Sequence, residues 1–185
     1  MSAGEDAALG GQVACDDEIG LAWRPIDQLP TTLASNRINA RNEAVLRSLA
    51  MLEEHDETRA DPGDRAELHR LEGKLNLVLE LVSELVRERQ EQAVVQPVRF
   101  NSVGMCWSVE RPQNEGTLFE IECYALPAWP VPLRLFARSV ACVEQAGYWR
   151  LCTRFEGLTP GVSEWLDKLA FRRHRREVAL QRKRG

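Results

Sequence analysis

The chain has 185 residues and a formal net charge of −4, enough for one compact domain with an extension or two small ones, and too weakly charged for a dedicated polyanion or polycation partner. No apolar run reaches the length that spans a bilayer, and the amino terminus lacks basic and apolar targeting regions; the expected place is the cytoplasm, without membrane insertion. Five cysteines, Cys15, Cys106, Cys123, Cys142 and Cys152, are odd in number, scattered and without a C-x-x-C pair, which predicts buried, reduced thiols.

Residues 1–18 carry Glu5, Asp6, Asp16, Asp17 and Glu18 ahead of the first basic residue, Arg24, and show no periodicity, so a mobile or loosely held acidic tail is expected. Across 19–30, Ile19, Leu21 and Trp23 alternate as a strand does until Pro25 and Pro30 end it. From about Thr31 to Thr58 the period becomes helical, with Val45, Leu46, Leu49 and Leu52 on one stripe. Asp61-Pro62-Gly63-Asp64 then marks a turn, with Asp64 and Glu67 spaced as a capping box for the next helix. The segment 31–92 therefore reads as a long antiparallel helical hairpin.

In its second helix, expected over 65–92, Leu68, Leu71, Leu75, Val78, Val82, Leu85 and Arg89 alternate at a and d positions of consecutive heptads. Leu79 and Val86 at e, and Leu81 at g, make the apolar stripe wider than a two-stranded coil requires. Packing within the chain against the preceding helix is one reading. Self-association into an oligomer above a dimer is the other, and the apolar flanks favour it. A helix of this extent is about 42 Å long, which is hard to hide in a small domain.

After residue 92 the period falls to two. Val94–Phe100, Met105–Val109, Thr117–Tyr124, Leu133–Val143 and Gly147–Phe155 read as strands separated by turn residues. In the last, Trp149, Leu151, Thr153 and Phe155 share one face and Arg150, Cys152 and Arg154 the other. With the strand near Trp23 they make six, which suits a small closed antiparallel barrel of the α+β class. Thr159-Pro160 opens a closing helix with Trp165, Leu166, Leu169, Ala170 and Phe171 as its apolar face and a basic run, Arg172 to Arg184, as its last turns. Residues 94–185 thus form the barrel and its basic helix.

His55, His69 and His174 stand apart from cysteines and carboxylates, so no metal site is expected. No nucleotide-cradling glycine loop, nucleophile elbow or Cys/His pairing is present, which argues against an enzyme and against a resident cofactor. The strands do not interleave exposed aromatics with basic residues, and the acidic remainder repels a phosphate backbone, so no nucleic-acid partner is expected.

The strand, Asn101-Ser102-Val103-Gly104-Met105-Cys106-Trp107, the following strands and the Trp/Leu helix together resemble the PilZ domain, a six-stranded bacterial barrel whose typical members bind cyclic di-GMP. The resemblance covers Val94 to about Arg176, with the strand near Trp23 as a first strand and the helical hairpin as an insertion; the long heptad helix is similar to that of the atypical, tetramer-forming branch. Typical members read the nucleotide with an R-x-x-x-R segment and a D/N-x-S-x-x-G segment, whose guanidiniums grip phosphates and guanine edges while the glycine admits the ligand's close approach. In register on Ser102, the acidic or amide position falls on Phe100 and the final glycine on Met105, with Gly104 one place early and Asn101 expected on the opposite strand face. The resemblance implies Arg37, Arg41, Ser102 and Gly104 as ligand residues, although Arg37 and Arg41 lie on the first long helix. It implies a homotetrameric receptor or adaptor of cyclic di-GMP signalling that also meets a protein partner, with nucleotide binding weak, non-standard or absent. A coiled-coil scaffold for protein interactions, independent of nucleotide, is the alternative.

Overall fold

Apolar side chains at alternate positions of six segments require a common interior, and a closed barrel supplies it. The computed structural model describes residues 3–57, 73–75, 77, 78, 81, 82, 93–125, 131–145 and 147–184. Its strands are β1 (Cys15–Ile26), β2 (Val94–Phe100), β3 (Gly104–Val109), β4 (Leu118–Tyr124), β5 (Leu133–Gln145) and β6 (Tyr148–Glu156). All neighbours are antiparallel, in the closed order β1-β2-β3-β6-β5-β4. Strand β1 closes the ring by pairing twice, with β2 along its first part and with β4 along its second. Gly20 belongs to both ladders, where an added Cβ would come within 3.3 Å of the Tyr124 Cβ.

Leu21, Val98, Phe100, Met105, Trp107, Phe119, Ile121, Leu135 and Leu151 are buried in the interior. Trp23 meets Trp107 and Phe119 at ring-centroid separations of 5.9 and 5.5 Å, in tilted and edge-on arrangements that suit the ring quadrupoles. Helices α2 (Thr32–Glu57) and α3 (Pro160–Arg184) extend this core: Val45, Leu46 and Leu49 enter from α2, and Val162, Leu166, Leu169 and Ala170 from α3. Phe171, expected on that face, is exposed, and Val162 from the first turn is buried instead. Thr159 caps α3, its Oγ1 accepting from the Val162 N–H at 3.5 Å ahead of Pro160 at the first helical position. Asn42 fixes α2 to β5 by both ends of its amide, donating to the Arg134 carbonyl at 2.7 Å and accepting from the Arg134 N–H at 3.0 Å.

The amino-terminal segment differs from the mobile tail expected over 1–18. Residues Ala3–Leu9 form helix α1, and β1 already begins at Cys15. Ala8, Leu9 and Ala14 join Cys106 and Cys152 in a second, smaller buried cluster on the outside of the barrel, flanked by Val140 and Ala141. Seven residues are too few to display a helical period, and the cover they provide depends on outward strand positions that are themselves apolar. The cysteines differ as well. Cys106 and Cys152 stand directly opposite each other on β3 and β6 and are joined as a disulfide, a pairing set by strand register rather than by any sequence spacing.

Of the helical hairpin, the turn Asp61–Asp64 and the heptad positions Leu68, Leu71 and Leu85 lie outside the described residues. Leu75, Val78, Leu81 and Val82 are helical and exposed. Among the described residues no helix is long and apolar enough to cross a membrane.

The thiols provide a check on this packing. Burial pushes the Cys15 thiol up to about 11 and the Cys123 thiol up to about 12, whereas Cys142 is half-buried. At mildly alkaline pH a chromogenic thiol reagent should titrate Cys142 rapidly in the folded protein, and unfolding without reductant should raise the total to the three free cysteines. Five reactive thiols after such unfolding would contradict the Cys106–Cys152 pairing.

Candidate functional site

Strand β2 ends at Phe100 and β3 begins at Gly104, leaving Asn101, Ser102 and Val103 to turn the chain. Phe100 and Met105 pair across the two strands, and both point into the barrel core. Asn101 organises the turn. Its Oδ1 accepts from the Val103 N–H at 2.8 Å and the Gly104 N–H at 3.1 Å, an Asx-type arrangement, while its Nδ2 donates to the Leu9 carbonyl of α1 at 2.9 Å. The Asn101 N–H donates to the Gly104 carbonyl at 3.1 Å, and the Phe155 N–H of β6 to the Val103 carbonyl at 2.9 Å. Asn101 and Ser102 are both buried.

Glycine is obligatory at 104 because two backbones meet there. An added Cβ would lie 2.2 Å from the Thr153 carbonyl oxygen and 2.8 Å from that of Ala8. The amide and glycine of the motif are thus both present, each displaced by one position towards Ser102, and together they build a tighter turn. Sequence reasoning set Asn101 aside as facing away. The Asn-x-x-Gly spacing is the local signal that marks it.

Beside the turn runs the outward face of β6, with Arg150, Cys152 and Arg154 opposite Ser108, Cys106 and Gly104 of β3. Arg150 and Arg154 lie four residues apart on one strand face, about 13 Å along it. The Arg150 Nε is 3.4 Å from a Glu5 carboxylate oxygen of α1, and each of these side chains is only 13% exposed. Exposed Arg154 stands opposite Arg138 of β5, which itself pairs with Glu156 at 2.8 Å and donates to the Gly116 carbonyl at 3.1 Å. The alternation of β6 placed Arg150 and Arg154 on one face in the sequence but gave them no role, because Arg150-x-x-x-Arg154 is one of several such spacings in an arginine-rich chain.

Arg37 and Arg41 are exposed on α2. Asn39 of the same helix donates to the Gly157 carbonyl at 2.8 Å, which fixes this part of α2 against the start of α3. The hydrogen bonds of the Asn101–Gly104 turn run to α1 and β6, and none involves Arg37 or Arg41. Within the basic run, Arg173 is an anchor: it pairs with Asp17 and donates to the Ala125 carbonyl at 2.6 Å. Burial, with a contribution from Arg176, pushes its guanidinium down to about 10. Arg175 and Arg176 are exposed. At the heptad positions among the described residues, Leu75, Val78 and Val82 are 59%, 54% and 41% exposed. Among the described residues no cluster of histidine, cysteine or carboxylate groups is arranged to hold a metal ion.

The family described as "Atypical PilZ domain, cyclic di-GMP receptor" matches residues 46–183. None of the curated proteins matches the chain. Among solved structures, the chain is similar to a pathogenic protein from Xanthomonas campestris, described as a tetrameric PilZ domain self-assembled via an unusual helical bundle. The two share 22% identity over 96% of each chain, with a TM-score of 0.73, a likeness of fold.

The turn's dependence on Asn101 is measurable. Asn101→Ala leaves buried backbone groups of α1 and β3 without partners and should destabilise the fold by roughly 1–3 kcal/mol in urea unfolding. A change of only a few tenths would contradict the central role of this amide.

Proposed function

The chain belongs to the atypical PilZ domain family, and on that premise we propose that it is an oligomeric, cytoplasmic receptor or adaptor of cyclic di-GMP signalling, assembled through its heptad helix. The exposed row of Leu75, Val78, Leu81 and Val82 carries this reading. Each such side chain gains about 1.5–3 kcal/mol on full burial, and a helix that presents several of them in heptad register is stabilised by like helices from other copies. Apolar residues at e and g widen the seam beyond what two strands cover. The assembly described for the Xanthomonas campestris protein, a tetramer built on a helical bundle, supports four chains. Joining four barrels lets weak individual contacts with a protein partner act together.

Work by recognition, rather than catalysis, suits a barrel of this family. Phe100 and Met105 face the core and offer nothing to a ligand at the two motif positions where a hydrogen-bonding side chain and a glycine are usual. The same observation favours a second reading, a protein-interaction scaffold that functions without the nucleotide.

Light scattering should give about four times the 21.0 kDa chain mass. Val82→Asp, which places a carboxylate in the seam, should dissociate the assembly while leaving the barrel folded, because the barrel has its own core. A monomer at micromolar concentration, or an unchanged sedimentation profile for Val82→Asp, would contradict assembly through this helix. Calorimetry with cyclic di-GMP separates the two functional readings. The receptor reading expects binding weaker by about a hundredfold than a PilZ domain with both motifs in register, since two missing contacts at roughly 1.5 kcal/mol each multiply. No heat at millimolar nucleotide would leave the scaffold.

A further inference from the structure

An outward-facing arginine on a barrel strand ordinarily sits in water. Arg150 does not, because α1 lies over it and sets Glu5 against its guanidinium. At the other end of the same helix the Leu9 carbonyl accepts from the Asn101 amide, and the Ala8 carbonyl crowds Gly104. A seven-residue acidic helix thus presents a carboxylate to a guanidinium and a peptide oxygen to a side-chain amide. Those two donors suit phosphate oxygens and the carbonyl edge of a purine equally well. We infer that the outward face of β3 and β6 beneath α1 is a latent binding face for the cyclic dinucleotide, with Arg150 and Arg154 as its cations, and that α1 is an intramolecular competitor whose Glu5 occupies the place of a phosphate.

This inference rests on the nucleotide reading proposed above and adds where and when the nucleotide binds. The spacing of about 13 Å between Arg150 and Arg154 runs along β6 beside Ser108 to Gly104 of β3, so Arg154 lies at the Asn101–Gly104 turn and Arg150 at the far end of the face. Arg154 stands opposite Arg138, which is engaged by Glu156, and Arg154 itself is exposed and accessible to an anion. With α1 seated, the face is closed: the Asn101 side chain has partners on both its oxygen and its nitrogen, Ser102 is buried, and Arg150 is paired with Glu5. The cover is also slight. Its apolar grip comes from Ala8, Leu9 and the following Ala14, and a helix this short has little stability apart from what it packs on. Since α1 lies outside the barrel's own core cluster, displacing it need not open the barrel.

The test uses the full chain with α1 disabled by Glu5→Lys and Leu9→Asp together, titrated with cyclic di-GMP in a calorimeter beside the wild type. Binding should tighten about tenfold or more, because ligand no longer competes with α1, and Arg150→Ala in the same background should abolish the gain. Displacement is read independently from the Cys106–Cys152 disulfide under α1, which should react faster with a thiol reductant in the double variant than in the wild type. Should the double variant lose the near-ultraviolet signal of the Trp23, Trp107 and Phe119 cluster, Glu5→Gln alone, which leaves Leu9 seated, is expected to give a smaller gain of about a few-fold. Equal binding by wild type and variants, insensitive to Arg150→Ala, would overturn the latent face and leave the receptor reading with a site elsewhere. Binding by neither would overturn both. A disulfide no more reducible in the double variant would show that α1 is not its cover, and would overturn the competitor role.

Discussion

Closure of the barrel by β1 is the constraint on which the other parts depend. Twelve residues serve two partners, β2 along the first part and β4 along the second, so the ring has no free edge. The join is reinforced from outside by charge: Asp16 pairs with its cross-strand neighbour Arg99 at 2.5 Å, Arg24 grips Glu120 on β4, and Asp17 holds Arg173 of α3. Exposed pairs of this kind contribute modestly, whereas Arg173 is largely buried and its partners offset a real desolvation cost. Because α2 and the heptad segment are inserted between β1 and β2, closing the ring also fixes the base of that insertion against the barrel.

Closure leaves the outer surface divided. On β4 and β5, Glu120 lies between Arg24 and Arg134, with Arg134 also reaching Glu122 at 3.0 Å, a self-contained network of charge. Helices α2 and α3 take the interior side chains that the strands leave uncovered. The face of β3 and β6 is different. It combines two opposed cysteines, two arginines and a turn that tolerates no side chain at Gly104, and the only described element over it is a short acidic helix. The recognition and the assembly proposed above would therefore use separate parts of the chain, this face of the barrel for the one and the heptad segment for the other.

What could be read from the sequence is what periodicity encodes locally. Leu151 and Thr153 alternate with outward residues on β6 as their spacing requires; Val45, Leu46 and Leu49 form the buried stripe of α2; Thr159 and Pro160 start α3. Features created by register between distant strands were not readable. Cys106 and Cys152 are 46 residues apart and meet only because β3 and β6 are neighbours. Cys152 sits at a position that alternation marks as solvent-facing, yet it is buried because α1 covers it. The same cover explains why an acidic stretch that reads as a tail is ordered structure, and why Asn101, one step out of the motif's register, holds the turn. Phe171 shows the opposite error, since helical spacing alone does not say where the neighbouring surface ends.

Hydrogen exchange on the wild-type chain, with and without saturating cyclic di-GMP, tests the link between nucleotide and α1 most directly. If the nucleotide takes the place of α1, the amides of Ala7–Leu9, which follow the first turn, and the Gly10 N–H bonded to the Asp6 carbonyl should exchange faster on binding, while those of Val103 and Gly104 become slower. Protection of α1 that stays unchanged or increases when the nucleotide is bound would contradict it.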